Sequence, residues 1–228
     1  MSALSLILPC YDEEQALPGT VADLLGAFAG VDMELVLVDN GSRDGTGAVI
    51  DGLVAAGAPV TAVHVPINRG YGHGVRAGLS AARGQVLGFL CADGQVAAQD
   101  VRALYDALRR DAAPGLYKVR RRFRPDGWDR KVASVGWNLL ANAALGGLSA
   151  LDVNGNPKLW PRQALDPATL TADDWFLDAE VLLAARAAGL RVVERDVRAR
   201  ARQGGRSKVR ASTCLDLALS LAQRRSRS

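Results

Sequence analysis

The sequence predicts an α/β fold with a mostly parallel sheet flanked by helices. Four short apolar runs occur in the first 90 residues, each bounded by Gly, Pro, Asn or Asp, and helical patterns fill the intervals between them. Strands that alternate with helices form parallel sheets with right-handed crossovers. A length of 228 residues, with 49% hydrophobic and 23% charged residues, is typical of one globular domain.

Four strands are predicted in the first half, because buried strands are runs of four to six residues rich in Val, Leu and Ile. They are Leu4–Leu8, Glu34–Val38, Val60–Val65 and Gln85–Leu90. A first helix is predicted from residues whose spacing places them on one face. These are Leu17, Val21, Leu24, Leu25 and Phe28. Further helices are predicted over 44–56 and 74–83.

The second half has a less regular pattern. Helices are predicted at Val101–Arg109, about Asp129–Leu145, about Leu177–Ala188 and about Ala211–Gln223. Strands are predicted at Gly115–Val119 and Arg191–Val197. The Arg-rich stretch 120–128, the Gly/Asn/Pro segment 152–160 and the sequence RQGGRSK at 202–208 are predicted to be irregular.

The composition excludes several classes of protein. No apolar run approaches the ~20 residues of a membrane span, and the N-terminus lacks the basic region of a signal peptide. The three cysteines form no C-x-x-C pair, and two histidines cannot make a His-rich metal centre. We therefore expect a reduced, cytoplasmic protein.

The charge is distributed unequally along the chain. Residues 1–114 hold 7 basic and 13 acidic residues, whereas residues 115–228 hold 21 basic and 11 acidic residues. A basic half indicates an anionic partner, or else a solvated Arg-rich face. Nucleic acid is disfavoured as that partner, since aromatic residues make up only 5% of the chain.

Acidic residues follow three of the four predicted strands of the first half. Glu13 follows the first strand, Asp39 the second and Asp93 the fourth. Ligands of open parallel sheets bind beyond the carboxyl ends of the strands, so these carboxylates suit hydroxyls, bases and a divalent cation. The alternative for Glu13, Asp39 and Asp44 is that they cap turns and helix N-termini.

The glycine-rich sequence NRGYGHG at 68–74 invites comparison with dinucleotide-binding loops. Its spacing is G-x-G-x-G, and it follows the third strand instead of the first, so it departs from that fingerprint. The glycines are better explained by a close approach of the backbone before the helix that includes Val75.

Taken in order, these motifs resemble the family 2 inverting glycosyltransferases. The matching segments are LSLILPCYDEE, LVLVDNGSRDGT and NRGYGHGVRAGLSAARGQVLGFLCADGQ. RQGGRSK and the spacing Arg130-x3-Ser134-x3-Asn138 are similar to the dolichol-phosphate mannose synthase and polyprenyl-phosphate glycosyltransferase branch. The resemblance covers about residues 3–210 and implies a GT-A fold.

The resemblance also implies roles for individual residues and for parts of the chain. It divides a single domain into a nucleotide-sugar-binding half (1–114), an acceptor-side half (115–210) and a C-terminal amphipathic helix with a basic tail (211–228). The nucleoside of the donor would be held by Pro9, Tyr11, Glu13 and Asp39. Asp93 and Gln95 would lie at the diphosphate and its Mg²⁺ or Mn²⁺, and Arg202 and Lys208 would neutralise phosphates. Arg130, Ser134 and Lys158 would bind the acceptor.

The implied reaction is transfer of a sugar from a GDP- or UDP-linked donor to a polyprenyl phosphate. Cations stabilise the departing nucleoside diphosphate, and an ionised phosphate acceptor needs no general base. A hydroxyl acceptor on a soluble molecule or cell-surface precursor is the alternative. It would need a base, for which Asp178 and Glu180 are candidates, although both also fit the start of a buried helix. A nucleotide-sugar-binding protein with weak turnover is a third interpretation.

Three positions depart from the family pattern. Cys91 replaces the first carboxylate of D-x-D, Asn40 replaces the second Asp of V-D-D-G-S, and the segment 152–160 has the form D-x-N-x-N-P-K-L-W.

A lipid acceptor also raises the question of membrane contact. The apolar stripe of the predicted terminal helix, followed by three arginines, suits either packing on the sheet or peripheral contact with the inner face of the membrane.

Overall fold

The computed structural model of the protein describes residues 2–122, 147 and 150–200. The strands are β1 (Leu4–Cys10), β2 (Met33–Asn40), β3 (Val60–Val65), β4 (Val86–Phe89), β5 (Gly115–Arg122), β6 (Lys158–Pro161) and β7 (Arg191–Arg198). The helices are α1 (Leu17–Ala27), α2 (Thr46–Ala55), α3 (Tyr71–Ala81), α4 (Ala98–Arg110) and α5 (Leu177–Ala187). Two short 3₁₀ turns occupy Arg162–Ala164 and Pro167–Thr169.

One seven-stranded sheet organises the described part of the chain, in the order β3-β2-β1-β4-β6-β5-β7. The pairs β1–β2, β1–β4, β2–β3 and β5–β7 are parallel, and β6 runs antiparallel to both of its neighbours. The mixed α/β architecture with a mostly parallel sheet confirms the predicted fold class. Because β1 lies between β2 and β4, the loops after these three strands meet at one edge of the sheet.

The sheet separates two hydrophobic cores, since successive strand residues point to opposite faces. On β1, Leu4, Leu6 and Leu8 contribute to the core beneath α1 and α4. Ile7 contributes to the core beneath α3 and α5. The interior strands β1, β2 and β4 are buried on both sides, which explains their nearly continuous apolar sequences.

The predicted strands and helices of the first half are confirmed, with ends displaced by no more than three residues. The largest shift is at α3, which begins at Tyr71 instead of residue 74. The predicted helices at 129–145 and 211–223 lie outside the described residues. No helix in the part of the chain that the structure describes is long and apolar enough to cross a membrane.

Two predictions for the second half were wrong. Arg120, Arg121 and Arg122 continue β5 instead of starting a loop, because the chain pairs in register with β7 as far as Arg198. The segment 152–160, predicted to be irregular, ends in β6, which lies between β4 and β5. A buried lysine at the start of β6 and a proline at its end conceal this strand in the sequence.

A buried polar cluster fixes the edge of the sheet opposite to the loops after β1, β2 and β4. The Glu34 carboxylate accepts hydrogen bonds from Ser5 Oγ at 2.6 Å and from the Arg83 backbone N–H at 2.7 Å. Burial alone would raise the pKa of Glu34, but these hydrogen bonds outweigh it and lower the pKa below its ordinary value of 4.5. The ionised form is therefore the one that stabilises the fold.

Replacement of Glu34 by Gln should weaken this cluster, because an amide cannot accept all the hydrogen bonds that the carboxylate accepts. We expect the free energy of unfolding at pH 7 to fall by about 1–3 kcal/mol. A carboxyl with a lowered pKa contributes stability above its unfolded pKa, and that contribution is lost as the pH falls. The wild-type advantage should therefore shrink below pH 4.5 in urea unfolding experiments. Replacement of the exposed Asp23 by Asn is the control, and an unchanged difference at low pH would contradict the assignment.

Candidate active site

The loops after β1 and β2 are joined by hydrogen bonds between their side chains and backbones. Thr46 Oγ1 accepts from the Glu13 backbone N–H at 2.9 Å, and Glu14 Oε2 accepts from the Gly45 backbone N–H at 2.9 Å. Asp12, which has a positive φ of 52°, accepts from the Arg43 N–H at 2.8 Å. These contacts fix both loops before any ligand binds, so the edge of the sheet is preorganised.

Pro9, Tyr11, Glu13 and Asp39 lie together at this edge, because Pro9 is in register with Val38 and Cys10 with Asp39. Asp39 Oδ1 accepts from the Ser42 N–H at 2.9 Å, and its Oδ2 lies 3.7 Å from His64 Nδ1. The carboxylate thus shapes the turn that follows β2. Its nucleotide-binding role stays a prediction.

Asp93 lies at the end of β4 with only 5% of its surface exposed. Its Oδ1 accepts from the Gln95 N–H at 3.1 Å, and Thr20 Oγ1 donates to the neighbouring Ala92 carbonyl at 3.1 Å. The Gln95 carbonyl in turn accepts from the Arg200 N–H at 2.8 Å. The end of the described chain therefore lies against the loop that carries Asp93, next to the partly exposed Cys91.

Two glycines of the NRGYGHG sequence allow α3 to contact the segment 172–174. Gly70 has a φ of +123°, and a Cβ on it would overlap the Asp173 carbonyl oxygen. A Cβ on Gly72 would overlap the Ala172 carbonyl oxygen. The His73 backbone N–H donates to the Asp173 carbonyl at 3.0 Å. The predicted close approach of the backbone is therefore confirmed.

Lys158 and Asp178 form a salt bridge inside the protein, and both side chains are fully buried. Lys158 Nζ also donates to the Gly155 carbonyl and to Asn156 Oδ1, each at 3.2 Å, and lies 5.5 Å from the centre of the Phe89 ring. Burial lowers the pKa of Lys158 to about 8, while Asp178 opposes that shift. The Lys158 ammonium is thus buried inside the protein, where the Asp178 carboxylate neutralises its charge.

The two carboxylates suggested as bases have different surroundings. Asp178 belongs to the buried pair, in the first turn of α5. Glu180 accepts from the Thr171 N–H at 3.0 Å and from the Ala172 N–H at 2.8 Å, so it fixes the segment before α5. The base role of both residues stays a prediction.

The ion pairs that connect β5 with β7 and with the segment 150–157 were not predicted from the sequence. Asp152 accepts two hydrogen bonds from the Arg121 guanidinium, at 2.9 and 3.0 Å, and the neighbouring Lys118 pairs with Glu194 at 2.8 Å. Burial would lower the pKa of Arg121, but Asp152 outweighs burial and raises it. Lys118 and Arg120 are two positions apart on β5, and their register partners on β7 are Glu194 and Asp196. This matched spacing of opposite charges is the signal in the sequence that could have predicted the ion pairs.

Four predicted site residues, Arg130, Ser134, Arg202 and Lys208, lie outside the described residues. Among the residues that the structure does describe, no group of three His, Cys, Asp or Glu side chains could hold a metal ion.

The chain matches the model of Glycosyl transferase family 2 over residues 5–156. It is a family 2 glycosyltransferase. A relative described as an uncharacterized glycosyltransferase, from Mycobacterium tuberculosis strain H37Rv, is 31% identical over 221 residues, which cover 92% of this chain and 91% of the relative. The matched family segment includes the loops after β1, β2, β3 and β4.

Two further relatives have names that state an acceptor. Dolichyl-phosphate beta-glucosyltransferase of Trichomonas vaginalis is 25% identical over 223 residues, covering 90% of this chain and 68% of that protein. Undecaprenyl-phosphate 4-deoxy-4-formamido-L-arabinose transferase of Aeromonas hydrophila is 32% identical over 136 residues, covering 58% of this chain and 40% of that protein.

Solved structures share the fold of this family 2 glycosyltransferase. Glucosyl-3-phosphoglycerate synthase of Mycobacterium tuberculosis, crystallised with Mn²⁺, UDP and glucosyl-3-phosphoglycerate, superposes with a TM-score of 0.73. It is 22% identical, and the match covers 98% of this chain and 80% of that chain. At this identity the likeness establishes the GT-A fold.

Removal of one partner of the buried pair should destabilise the protein strongly. We expect Lys158→Met to lower the free energy of unfolding by about 3–5 kcal/mol, because the Asp178 carboxylate would stay buried without its cation. The double variant Lys158→Met/Asp178→Leu should recover most of that loss. Urea unfolding measures both, and Asp106→Asn, which breaks a partly exposed pair with Arg102, should cost less than about 1 kcal/mol. A double variant as unstable as Lys158→Met would contradict this account.

Proposed function

We propose that this protein is an inverting glycosyltransferase that moves a sugar from a nucleoside-diphosphate sugar to a polyprenyl phosphate. The observation that carries the proposal is the position of two carboxylates in a family 2 chain. Asp39 and Asp93 lie at the carboxyl ends of β2 and β4, on either side of β1. One acidic group is thereby available for the nucleoside and another for the diphosphate.

The donor would bind across the loops after β1 and β2. Pro9, Tyr11, Glu13 and Asp39 hold the nucleoside in this proposal. The hydrogen bonds between the two loops support it, since a preorganised loop loses little conformational freedom when a ligand binds. UDP is the first nucleotide to test, because the solved synthase structure contains it.

The residues present fit Mg²⁺ or Mn²⁺ held jointly with the donor. Magnesium usually binds one or two carboxylates together with substrate phosphates, which suits a buried Asp93 and a nearby Gln95 amide. When bound, the cation neutralises negative charge on the departing diphosphate. Cys91, in place of a further carboxylate, leaves Asp93 as the acidic ligand in this proposal.

Arg202 and Lys208 are proposed to neutralise the phosphates of the leaving group. They follow Arg200 in the sequence, and Arg200 is anchored at the Gln95 carbonyl. Guanidinium binds phosphate oxygens in a bidentate manner, and an ammonium adds a point charge. This anchor supports a phosphate-binding role for the basic sequence that follows it.

A phosphate acceptor agrees with the surroundings of Asp178. A phosphate is already ionised, so its attack on the sugar needs no base, and Asp178 is committed to Lys158. Arg130 and Ser134 would contact the acceptor phosphate. Lys158 would support the acceptor side indirectly, because its hydrogen bonds hold residues 155 and 156 in place. The two relatives named for dolichyl and undecaprenyl phosphate support this choice of acceptor.

A soluble phosphate-bearing acceptor is the second candidate. The synthase structures that share the fold include one with phosphoglyceric acid bound. Contact with a membrane surface distinguishes the two acceptors. A prenyl phosphate resides in a bilayer, and residues 211–228 would contact that surface from the cytoplasmic side in our proposal.

The decisive experiment offers UDP-glucose with Mn²⁺ to the protein and compares three acceptors. They are a polyprenyl phosphate in anionic vesicles, 3-phosphoglycerate and water, with GDP-mannose as a second donor. We expect release of the nucleoside diphosphate to depend on the prenyl phosphate and to fall as salt is raised. Asp93→Asn should lower the rate at least tenfold, or about 1.4 kcal/mol of barrier, with an unchanged melting temperature.

The control variant is Asp32→Asn, an exposed carboxylate at the opposite edge of the sheet, which should leave the rate unchanged. Turnover with 3-phosphoglycerate but not with the polyprenyl phosphate would show that the acceptor is the soluble molecule and would contradict the proposed lipid acceptor. Donor binding without turnover on any acceptor would identify a binding protein, and full activity of Asp93→Asn would remove Asp93 from the site.

A further inference from the structure

Tyr71 and Trp175 form a stacked aromatic pair at the active-site edge. Their ring centres lie 4.3 Å apart, and the ring planes differ by 10°. Tyr71 is the first residue of α3, and Trp175 lies just before α5, so the pair joins two helices. Both residues are half-buried. The stack fixes the direction of the Tyr71 side chain.

The Tyr71 hydroxyl has a partner for its oxygen. It accepts a hydrogen bond from Asn156 Nδ2 at 3.0 Å, and Asn156 is held by the buried Lys158. As a donor, this hydroxyl makes no hydrogen bond with residues 2–122, 147 or 150–200. Buried polar groups are almost always paired, and a phenol carries one proton to donate. The described part of the chain therefore supplies no acceptor for this proton.

The charges around Tyr71 indicate which ligand group suits that proton. Burial raises the pKa of Tyr71 well above 10.0, and Asp178, Cys91 and Asp93 raise it further, while Arg121 opposes them. The hydroxyl stays protonated at neutral pH. A phosphate beside this hydroxyl would be repelled by Asp93 unless a cation lay between them, whereas a neutral sugar hydroxyl needs no cation. Stacked rings beside amide and carboxylate groups also suit the mixed apolar and polar surface of a sugar.

We propose that Tyr71 determines donor specificity by donating a hydrogen bond to a hydroxyl group of the transferred sugar. Trp175 and Asn156 position its ring and its oxygen for that contact. The inference rests on the proposed function, since it places the sugar of the donor beside Asp93. It adds a residue that no family motif identified in the sequence, because position 71 is an unspecified residue between two motif glycines.

The test compares the binding of UDP-glucose and UDP, each with Mn²⁺, by isothermal titration calorimetry. Tyr71→Phe removes the hydroxyl and keeps the stacked ring. We expect it to weaken UDP-glucose binding about tenfold and to leave UDP binding unchanged. Tyr117→Phe is the matched control, since the Tyr117 hydroxyl pairs with Asp111 at the far end of β5. GDP-mannose and GDP form the second ligand pair.

Deoxy analogues of the donor sugar test the same contact from the ligand side. Wild-type protein should lose affinity when one particular sugar hydroxyl is removed, and Tyr71→Phe should show no further loss for that analogue. Equal weakening of UDP and UDP-glucose would place Tyr71 at the diphosphate and overturn the inference. Unchanged binding of both UDP and UDP-glucose would show that the Tyr71–Trp175 pair only packs the two helices together, and would also overturn the inference. Wild-type protein that binds no donor would overturn the proposed function as well.

Discussion

The buried salt bridge between Lys158 and Asp178 is the interaction on which the arrangement of the site depends. Lys158 begins β6 in the middle of the sheet, and Asp178 lies in the first turn of α5, which covers one face. A charge at that depth is tolerated only with a partner and further hydrogen bonds, which the Gly155 carbonyl and Asn156 supply. The pair thus fixes α5 and the segment before it relative to the strands.

Two kinds of contact hold the segments at the active-site edge in place, one on each side. On the side of β1 and β2, backbone N–H groups and short side chains join the loops, so that part of the edge is rigid without a charge pair. On the side of β5 and β6, buried ion pairs such as Arg121–Asp152 hold the segments together. Asp93 lies between these two regions. We infer that the donor nucleotide meets the first region and that the acceptor approaches from the second.

The sequence predicted the parts of the fold that depend on local patterns. Strands β1, β2 and β4 are mostly apolar runs because both of their faces are buried, and that property is visible in any short window. β6 escaped prediction because its first residue is a lysine whose partner, Asp178, comes 20 residues later in the chain. The same applies to the extension of β5, where the partner Asp196 of Arg120 lies on a strand that comes 76 residues later.

The site followed the same rule. The positions of Asp39 and Asp93 at the carboxyl edge of the sheet could be predicted, because Asp39 comes directly after one predicted strand and Asp93 three residues after another. Tyr71 and Asn156 could not, since their hydrogen bond joins residues that are 85 positions apart. Family motifs identified the ends of strands, whereas contacts between distant segments determine what each end can bind. Our proposal places donor specificity in such contacts, because pocket shape follows from the tertiary structure.

The central claim is that the donor binds at the carboxyl edge of β1, β2 and β4. Hydrogen–deuterium exchange in the presence and absence of UDP and Mn²⁺ tests this most directly, because it reports on each backbone segment. We expect slower exchange in residues 11–15, 40–46 and 91–96. No change is expected at 28–32 and 82–85, on the opposite edge. Protection confined to the opposite edge, or no protection at a saturating nucleotide concentration, would contradict the account.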